Sequence, residues 1–201
     1  MNLIHDAWLP VIRASGKKDK IAPWQIAEKE DSVIELKAPR PDFQGALYQF
    51  LIGLLQTCFA PADHDEWMDH WKNPPDGRLV QEAFLLMDPA FELQNQTGPS
   101  FMQDSNLEKL EPKEISGLLI EAPGEKTIRD NLDLFIKRDS IKHLCQSCAA
   151  TALFTLQINA PSGGVGHRVG LRGGGPLTTL VMPTEELTLW HKLWLNVLDI
   201  E

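Results

Sequence analysis

The clearest periodic signal in the chain lies between residues 42 and 58. Leu47, Phe50, Leu51, Leu54, Leu55 and Cys58 recur at spacings of three and four, the signature of one buried helical face. Asp42, just past Pro39-Arg40-Pro41, is the expected N-cap, and Ala60-Pro61 is the stop. Upstream, Leu3, Trp8, Val11 and Ile12 alternate loosely with polar positions, Ser15-Gly16-Lys17-Lys18 offers a turn, and Ile21 resumes the pattern. That predicts an N-terminal hairpin. Pro23 opens a short helix to about Glu28, and Ser32 to Leu36 is strand-like. Downstream, short helices are expected from Asp65 to Trp71 and from Leu79 to Met87, the second stopping before Pro89. Glu92 to Asn106 has little periodicity and predicts a loop with one short strand. Pro112 to Ile120 begins like a helix.

Residues 124–144 predict a long loop around one apolar run, Leu132-Asp133-Leu134-Phe135-Ile136. Loops of this length are functional or disordered more often than not. Cys145 to Leu156 predicts a helix with Cys148, Ala149, Ala152, Leu153 and Leu156 on one face. Thr178 to Met182 predicts a strand. Thr184 is the expected cap of a last helix carrying Leu187, Trp190, Leu193, Trp194, Val197 and Leu198. That helix is apolar on more than one side, so it calls for a partner, in this polypeptide or another. Together these elements predict an α+β fold: a mixed, loop-rich globular domain with several helices and short antiparallel strands.

Between the Cys145–Leu156 helix and the Thr178–Met182 strand the pattern breaks down into glycine. Seven of the chain's 14 glycines fall in the 13 residues from Gly163 to Gly175, with His167, Arg168 and Arg172 among them. Glycine costs roughly 0.5–1 kcal/mol relative to alanine in regular structure. So dense a run implies unusual turns or close approach of a ligand to the backbone, and the arginines suit an anion. No Lys-Ser or Lys-Thr pair completes a P-loop, and Gly164-Val165-Gly166 lacks the spacing and the preceding strand of a dinucleotide site.

Charge changes the picture again. The 201 residues carry a net −9, yet residues 126–172 hold 7 Lys/Arg against 3 Asp/Glu, a local +4 on an acidic body. A basic segment can bind polyanions by counterion release whatever the total charge, and a solvated face would look the same. Cys145-Gln146-Ser147-Cys148 is a single CxxC, compatible with two thiols, half of a zinc site or redox chemistry. The six histidines are scattered, the acidic group Asp63, Asp65, Glu66 and Asp69 suits a solvated helix face, and no catalytic constellation is visible. No run of apolar residues is long enough to span a bilayer. The opening residues lack a leader pattern and cysteines are few, which predicts a cytoplasmic protein.

Four segments in this order carry a more specific message. They are Asn2-Leu3-Ile4-His5-Asp6-Ala7-Trp8-Leu9-Pro10-Val11, Pro99-Ser100-Phe101-Met102-Gln103, the Cys145–Cys148 pair running into Ala149-Ala150-Thr151-Ala152-Leu153-Phe154, and Gly170-Leu171-Arg172-Gly173-Gly174-Gly175-Pro176 with Thr178-Thr179. The chain resembles CasA, the large subunit of the type I-E CRISPR surveillance complex Cascade. The resemblance spans residues 1–201 and covers the N-terminal, PAM-recognition part of that family, without its C-terminal helical bundle.

The resemblance implies a non-enzymatic subunit. Its partners would be double-stranded target DNA, the other Cascade subunits with their guide RNA, and a helicase-nuclease, with no membrane. It implies that a glycine-rich loop reads the protospacer-adjacent motif (PAM) from the minor groove. By position that loop is Ser162, Gly163, Gly164 and Val165, with Ser162 and Val165 departing from the expected glycine. Arg168 and Arg172 follow it as candidate DNA contacts. A second DNA-contacting loop falls on Phe135, Lys137 and Arg138. Cys145 and Cys148 would supply half of a structural zinc site in a longer protein. The readings to be weighed against this are an interaction domain without direct DNA contact and a phosphate- or nucleotide-binding enzyme domain.

Overall fold

The computed structural model describes residues 1–95, 97–104, 112–138, 141–159 and 179–200. Three strands form an antiparallel sheet in the order β2-β1-β3, with β1 at Leu9–Arg13, β2 at Lys18–Ile21 and β3 at Val33–Leu36. The hairpin and third strand are as the alternation predicts. Leu9 pairs with Ile21, and Val11 with Leu36. Lys18 and Lys20 are exposed on edge strand β2, where lysine discourages pairing with another chain. The register slips between Ile12 and Arg13. Arg13 lies past the slip, and its guanidinium donates to Asp19 Oδ2 at 2.7 Å and Glu28 Oε2 at 2.9 Å.

Six α-helices are described: α1 Pro41–Cys58, α2 His64–Lys72, α3 Gly77–Phe84, α4 Glu125–Arg129, α5 Gln146–Asn159 and α6 Leu189–Trp194. The α+β expectation is met. Helix α1 starts two residues earlier than a cap at Asp42 would place it, with Arg40 as its cap residue. Pro41 takes the first position, where its fixed φ suits a helix and its missing N–H is no loss. Asp42, expected as the cap, sits inside the first turn and binds the Arg40 guanidinium at 2.9 and 3.0 Å. Helix α3 ends at Phe84, before Pro89 and short of Met87, and passes into a 3-10 helix, Leu85–Phe91, that contains the proline. A 3-10 turn at Ile115–Leu118 replaces the helix begun at Pro112.

The chain divides into two compact units, one of Met1–Phe101 with Leu177–Glu201 and one of Met102–Pro176. In the first, the sheet's Leu9, Val11, Ile21 and Val33 are buried, as are Phe43, Leu47, Leu51 and Leu55 of α1 and Leu189, Trp190, Leu193 and Trp194 of α6. Helices α2 and α6 are joined by indole N–H groups. Trp190 Nε1 donates to His70 O at 3.0 Å, Trp194 Nε1 to Trp67 O at 3.0 Å, and Trp67 Nε1 to Val197 O at 2.9 Å. His70 O lies in the last turn of α2, where carbonyls have no partner within the helix.

Helix α6 begins at Leu189 with Thr188 as its cap residue, not at Thr184. Pro183-Thr184-Glu185-Glu186 resembles a helix start in sequence. The buried Leu189, Trp190 and Leu193 fix the start instead, and Thr188 Oγ1 is taken by His191 Nδ1 at 2.7 Å. Thr179 to Met182 forms no strand; Thr178 lies outside the described residues. Val181 pairs its backbone with a side chain, that of Asn196.

One buried polar atom in α1 is unsatisfied. Among the described residues the Tyr48 hydroxyl has no hydrogen-bond partner, and burial, followed by the nearby Glu35 charge, pushes its pKa up to about 12. Removing both the hydroxyl and its unmet demand for a partner is close to neutral or stabilising, by up to about 1 kcal/mol. Tyr48→Phe should therefore keep or raise the thermal midpoint. A clear fall would mean that the hydroxyl has a partner in solution.

Candidate nucleic-acid interface

The second unit holds the best-defined candidate surface. Gly124 is the cap residue of α4, a helix inside the stretch expected to be all loop. Asn131 ends it with φ 52°, a left-handed conformation that asparagine tolerates better than most residues. Leu132 N–H then donates to Thr127 O at 2.9 Å, and Asn131 N–H to Ile128 O at 3.2 Å. This pair of bonds is a Schellman motif, which closes the helix and turns the chain sharply.

The turn launches a tight hook. Ile136 N–H bonds Asp133 O at 3.0 Å, leaving Leu134 and Phe135 at the two central positions. Their side chains face solvent: Leu134 is 83% exposed and Phe135 101%. Leu132 is also exposed. Lys126, Arg129, Lys137 and Lys142 are exposed on the same stretch.

Arg138 holds the hook's base. Its Nε donates to Asp133 Oδ2 at 2.5 Å and its Nη2 to Asp133 Oδ1 at 2.6 Å. The same Nη2 reaches Ile128 O at 3.0 Å and Asn131 Oδ1 at 3.1 Å. One guanidinium thus ties the end of α4 to both legs of the hook. A two-pronged, charge-assisted pair of this kind fixes orientation as well as supplying energy. The Arg138 guanidinium holds the Asp133 carboxyl below the usual carboxylate range. Of the residues expected to touch DNA here, Phe135 and Lys137 are presented outward, while Arg138 is engaged in building the loop that presents them.

The CxxC sits at the start of α5. Cys145 O accepts the first helical bond, from Ala149 N–H at 2.8 Å, and Cys145 Sγ accepts Cys148 N–H at 3.3 Å. Cys145 is exposed and Cys148 half-buried. The two sulfurs fit half of a tetrahedral thiolate set. Among the described residues no third His, Cys, Asp or Glu joins them, so the residues present supply two ligands and no more. The buried stripe of α5 is Ala150, Thr151, Ala152 and Thr155, one position off the face expected from its leucines. Small side chains permit this, and the threonines satisfy their hydroxyls within the helix. Thr151 Oγ1 bonds Ser147 O at 2.8 Å and Thr155 Oγ1 bonds Thr151 O at 2.7 Å.

Ser162, Gly163, Gly164, Val165, Arg168 and Arg172 lie outside the described residues. A surface cleft of about 490 Å3 near the hairpin is lined by Arg13, Lys17, Asp19, Glu28, Lys29, Glu30 and Asp31. Its arginine is already bound to two carboxylates, which leaves it poorly suited to a phosphate. Among the described residues no helix is long and apolar enough to cross a membrane.

These features define an α+β protein whose most developed surface element is an apolar, cation-flanked hook. A family model for CRISPR-associated protein Cse1 matches residues 2–201, and the chain belongs to that family. The fold is that of solved members. Thermus thermophilus CasA (Cse1) superposes with a TM-score of 0.71 at 21% identity, covering 96% of this chain and 38% of that one. Cse1 from Acidimicrobium ferrooxidans gives 0.71 at 18% identity, over 99% of this chain and 38% of that one. A chain of a CRISPR RNA-guided surveillance complex gives 0.67 at 19% identity, over 98% and 43%. The chain therefore spans well under half the length of the structures it matches.

Proposed function

We propose that this chain acts as part of the large, DNA-recognising subunit of a type I-E CRISPR surveillance complex in the cytoplasm. It binds duplex target DNA next to the guide RNA and the other Cascade subunits. The observation that carries the reading is the family match along almost the whole chain, and the hook supplies a surface of suitable chemistry. An exposed phenyl ring among cations can lodge against a base step while the cations meet phosphates. Ser162, Gly163, Gly164 and Val165 read the PAM through their backbone, because the minor groove offers a degenerate code that a chain without bulky side chains can approach closely. Arg168 and Arg172 back this segment as phosphate contacts. Reading the PAM begins duplex opening and leads to recruitment of the helicase-nuclease. The role is non-enzymatic. In the complete subunit, Cys145 and Cys148 supply two thiolates to a structural zinc.

The test is target binding by the complex reconstituted with the complete subunit. Gly163→Pro combined with Gly164→Pro removes two backbone donors and adds two rings where the groove must be approached. The preference for PAM-bearing over PAM-less duplex should collapse while assembly is kept. Unchanged preference would sink the assignment of the reader. The apolar tip also favours a second reading, docking on a protein subunit without direct DNA contact. In that case Lys137→Glu would leave DNA binding and its salt dependence untouched.

A further inference from the structure

Neither of the usual forces holds the hook at residues 131–138 in shape. Its turn, closed by Ile136 N–H on Asp133 O, has Leu134 and Phe135 at the two central positions. Glycine, proline, asparagine, aspartate and serine are the residues that favour such positions. Burial of the tip adds little, because Leu132, Leu134 and Phe135 are all exposed. What braces the hook is the Arg138 clasp. Its Nε and Nη2 both donate to the Asp133 carboxylate, and Nη2 also donates to Ile128 O and Asn131 Oδ1. The Asp133 side chain is left only 5% exposed beneath the guanidinium. A charged pair is thus spent on holding an apolar ring out in solvent, which is useful only if the ring has somewhere to go.

We propose that Arg138 and Asp133 are positioning residues for Phe135. Their ion pair sets the direction in which the ring leaves the surface, and Arg138 serves the duplex through that ring instead of through a phosphate. The proposal rests on reading the hook as a duplex-contacting surface.

Arginine is the residue the geometry needs. Two of its nitrogens meet the two oxygens of one carboxylate, and the same planar group still reaches acceptors at the end of α4. Lysine is a point charge on a flexible stem and cannot reproduce that fork. A phosphate contact has the opposite tolerance, because it needs the charge and accepts lysine. A substitution that keeps the charge therefore separates the two roles. A ring already held in its binding direction avoids the ordering cost that a loose one meets on association, a difference of about fivefold in affinity.

The experiment measures target-duplex affinity of the complex reconstituted with the complete subunit. The subunit carries Arg138→Lys, Asp133→Ala or Phe135→Ala, or either of the first two combined with Phe135→Ala. Hydrogen exchange at the Ile136 amide of the free subunit reports whether the turn stays closed. The expected result for Arg138→Lys and Asp133→Ala is faster exchange and an affinity lower by about fivefold, with assembly and thermal midpoint kept. On top of Phe135→Ala the same changes should cost less than about twofold more, because the ring through which they act is gone. Full additivity overturns the proposal, since the pair then acts independently of the ring. So does an Arg138→Lys variant that binds like the unaltered subunit; with a salt slope lowered by about one in Arg138→Ala, that outcome makes the guanidinium a phosphate contact. Unchanged exchange at Ile136 in both variants means that the hook stands without its clasp, and the role is wrong. If Phe135→Ala itself binds normally, the duplex-contacting reading of the hook fails first and the positioning role falls with it.

Discussion

Trp194→Ala should destabilise the chain by about 3–5 kcal/mol, the range for deleting a buried tryptophan. Several facts place it in that range. Trp194 is fully buried, and its ring lies 5.0 Å from Trp190 and 6.2 Å from Phe59, centroid to centroid. The indole N–H also bonds Trp67 O at 3.0 Å, so the truncation opens a cavity and removes a link between α2 and α6. A loss of this size is a large part of the roughly 5–15 kcal/mol that holds an ordinary domain together. Trp194→Phe separates the two contributions. It keeps a ring in place and gives up the donor, at a cost nearer 1 kcal/mol for the hydrogen bond plus a share of packing. Denaturant melts of both variants give the measurement. If alanine cost less than about 1.5 kcal/mol, well below the usual range, the α2–α6 contact would be a surface association rather than core.

The same helices show what a sequence reveals and what it hides. Helix α1 is legible because its apolar residues repeat from Leu47 to Cys58, about three turns, and tertiary packing agrees with the repeat. The hairpin is legible because alternation and a glycine turn coincide. At the start of α6 two threonines compete, and the nearby acidic pair makes Thr184 the better local cap. Burial of Leu189 and Trp190 decides for Thr188 instead, and burial is not a local property. Thr179 to Met182 has the composition of a strand, yet its partner is a side chain fifteen residues further on.

Of the candidate surface, Phe135 and Lys137 could be picked out as an apolar tip beside cations. The device that presents them could not. Asp133 and Arg138 are five residues apart, a spacing that matches neither helix nor strand periodicity. The closest local hint is Asn131, a residue suited to ending a helix in the left-handed region.

That device sets up the second large effect. In the reconstituted complex, Phe135→Ala should weaken target binding by about 2 kcal/mol, roughly 30-fold, as expected when a central aromatic anchor is truncated. The ring is fully exposed in the chain alone, so its removal should leave the thermal midpoint where it was. Asp133→Ala should reproduce part of the loss without touching the ring, because it removes the carboxylate through which Arg138 ties the hook's two legs together. Arg138 is exposed and the pair is local to the hook, so it adds little to overall stability; its effect belongs to presentation. Acid should act in the same way. Asp133 is held below its ordinary pKa in the folded chain, so the ion pair is complete above the usual carboxylate value of about 3.9 and is lost only as pH falls below it. Binding through the hook should then be insensitive to this pair from pH 5 to 8. If Lys137 meets a phosphate as proposed, Lys137→Ala should behave differently, weakening every duplex alike and reducing the salt slope by about one. A Phe135 defect that vanished at high salt would mark the ring as a bystander to the cations. One that persists at every salt concentration identifies the apolar tip as the anchor and the lysine as its electrostatic support.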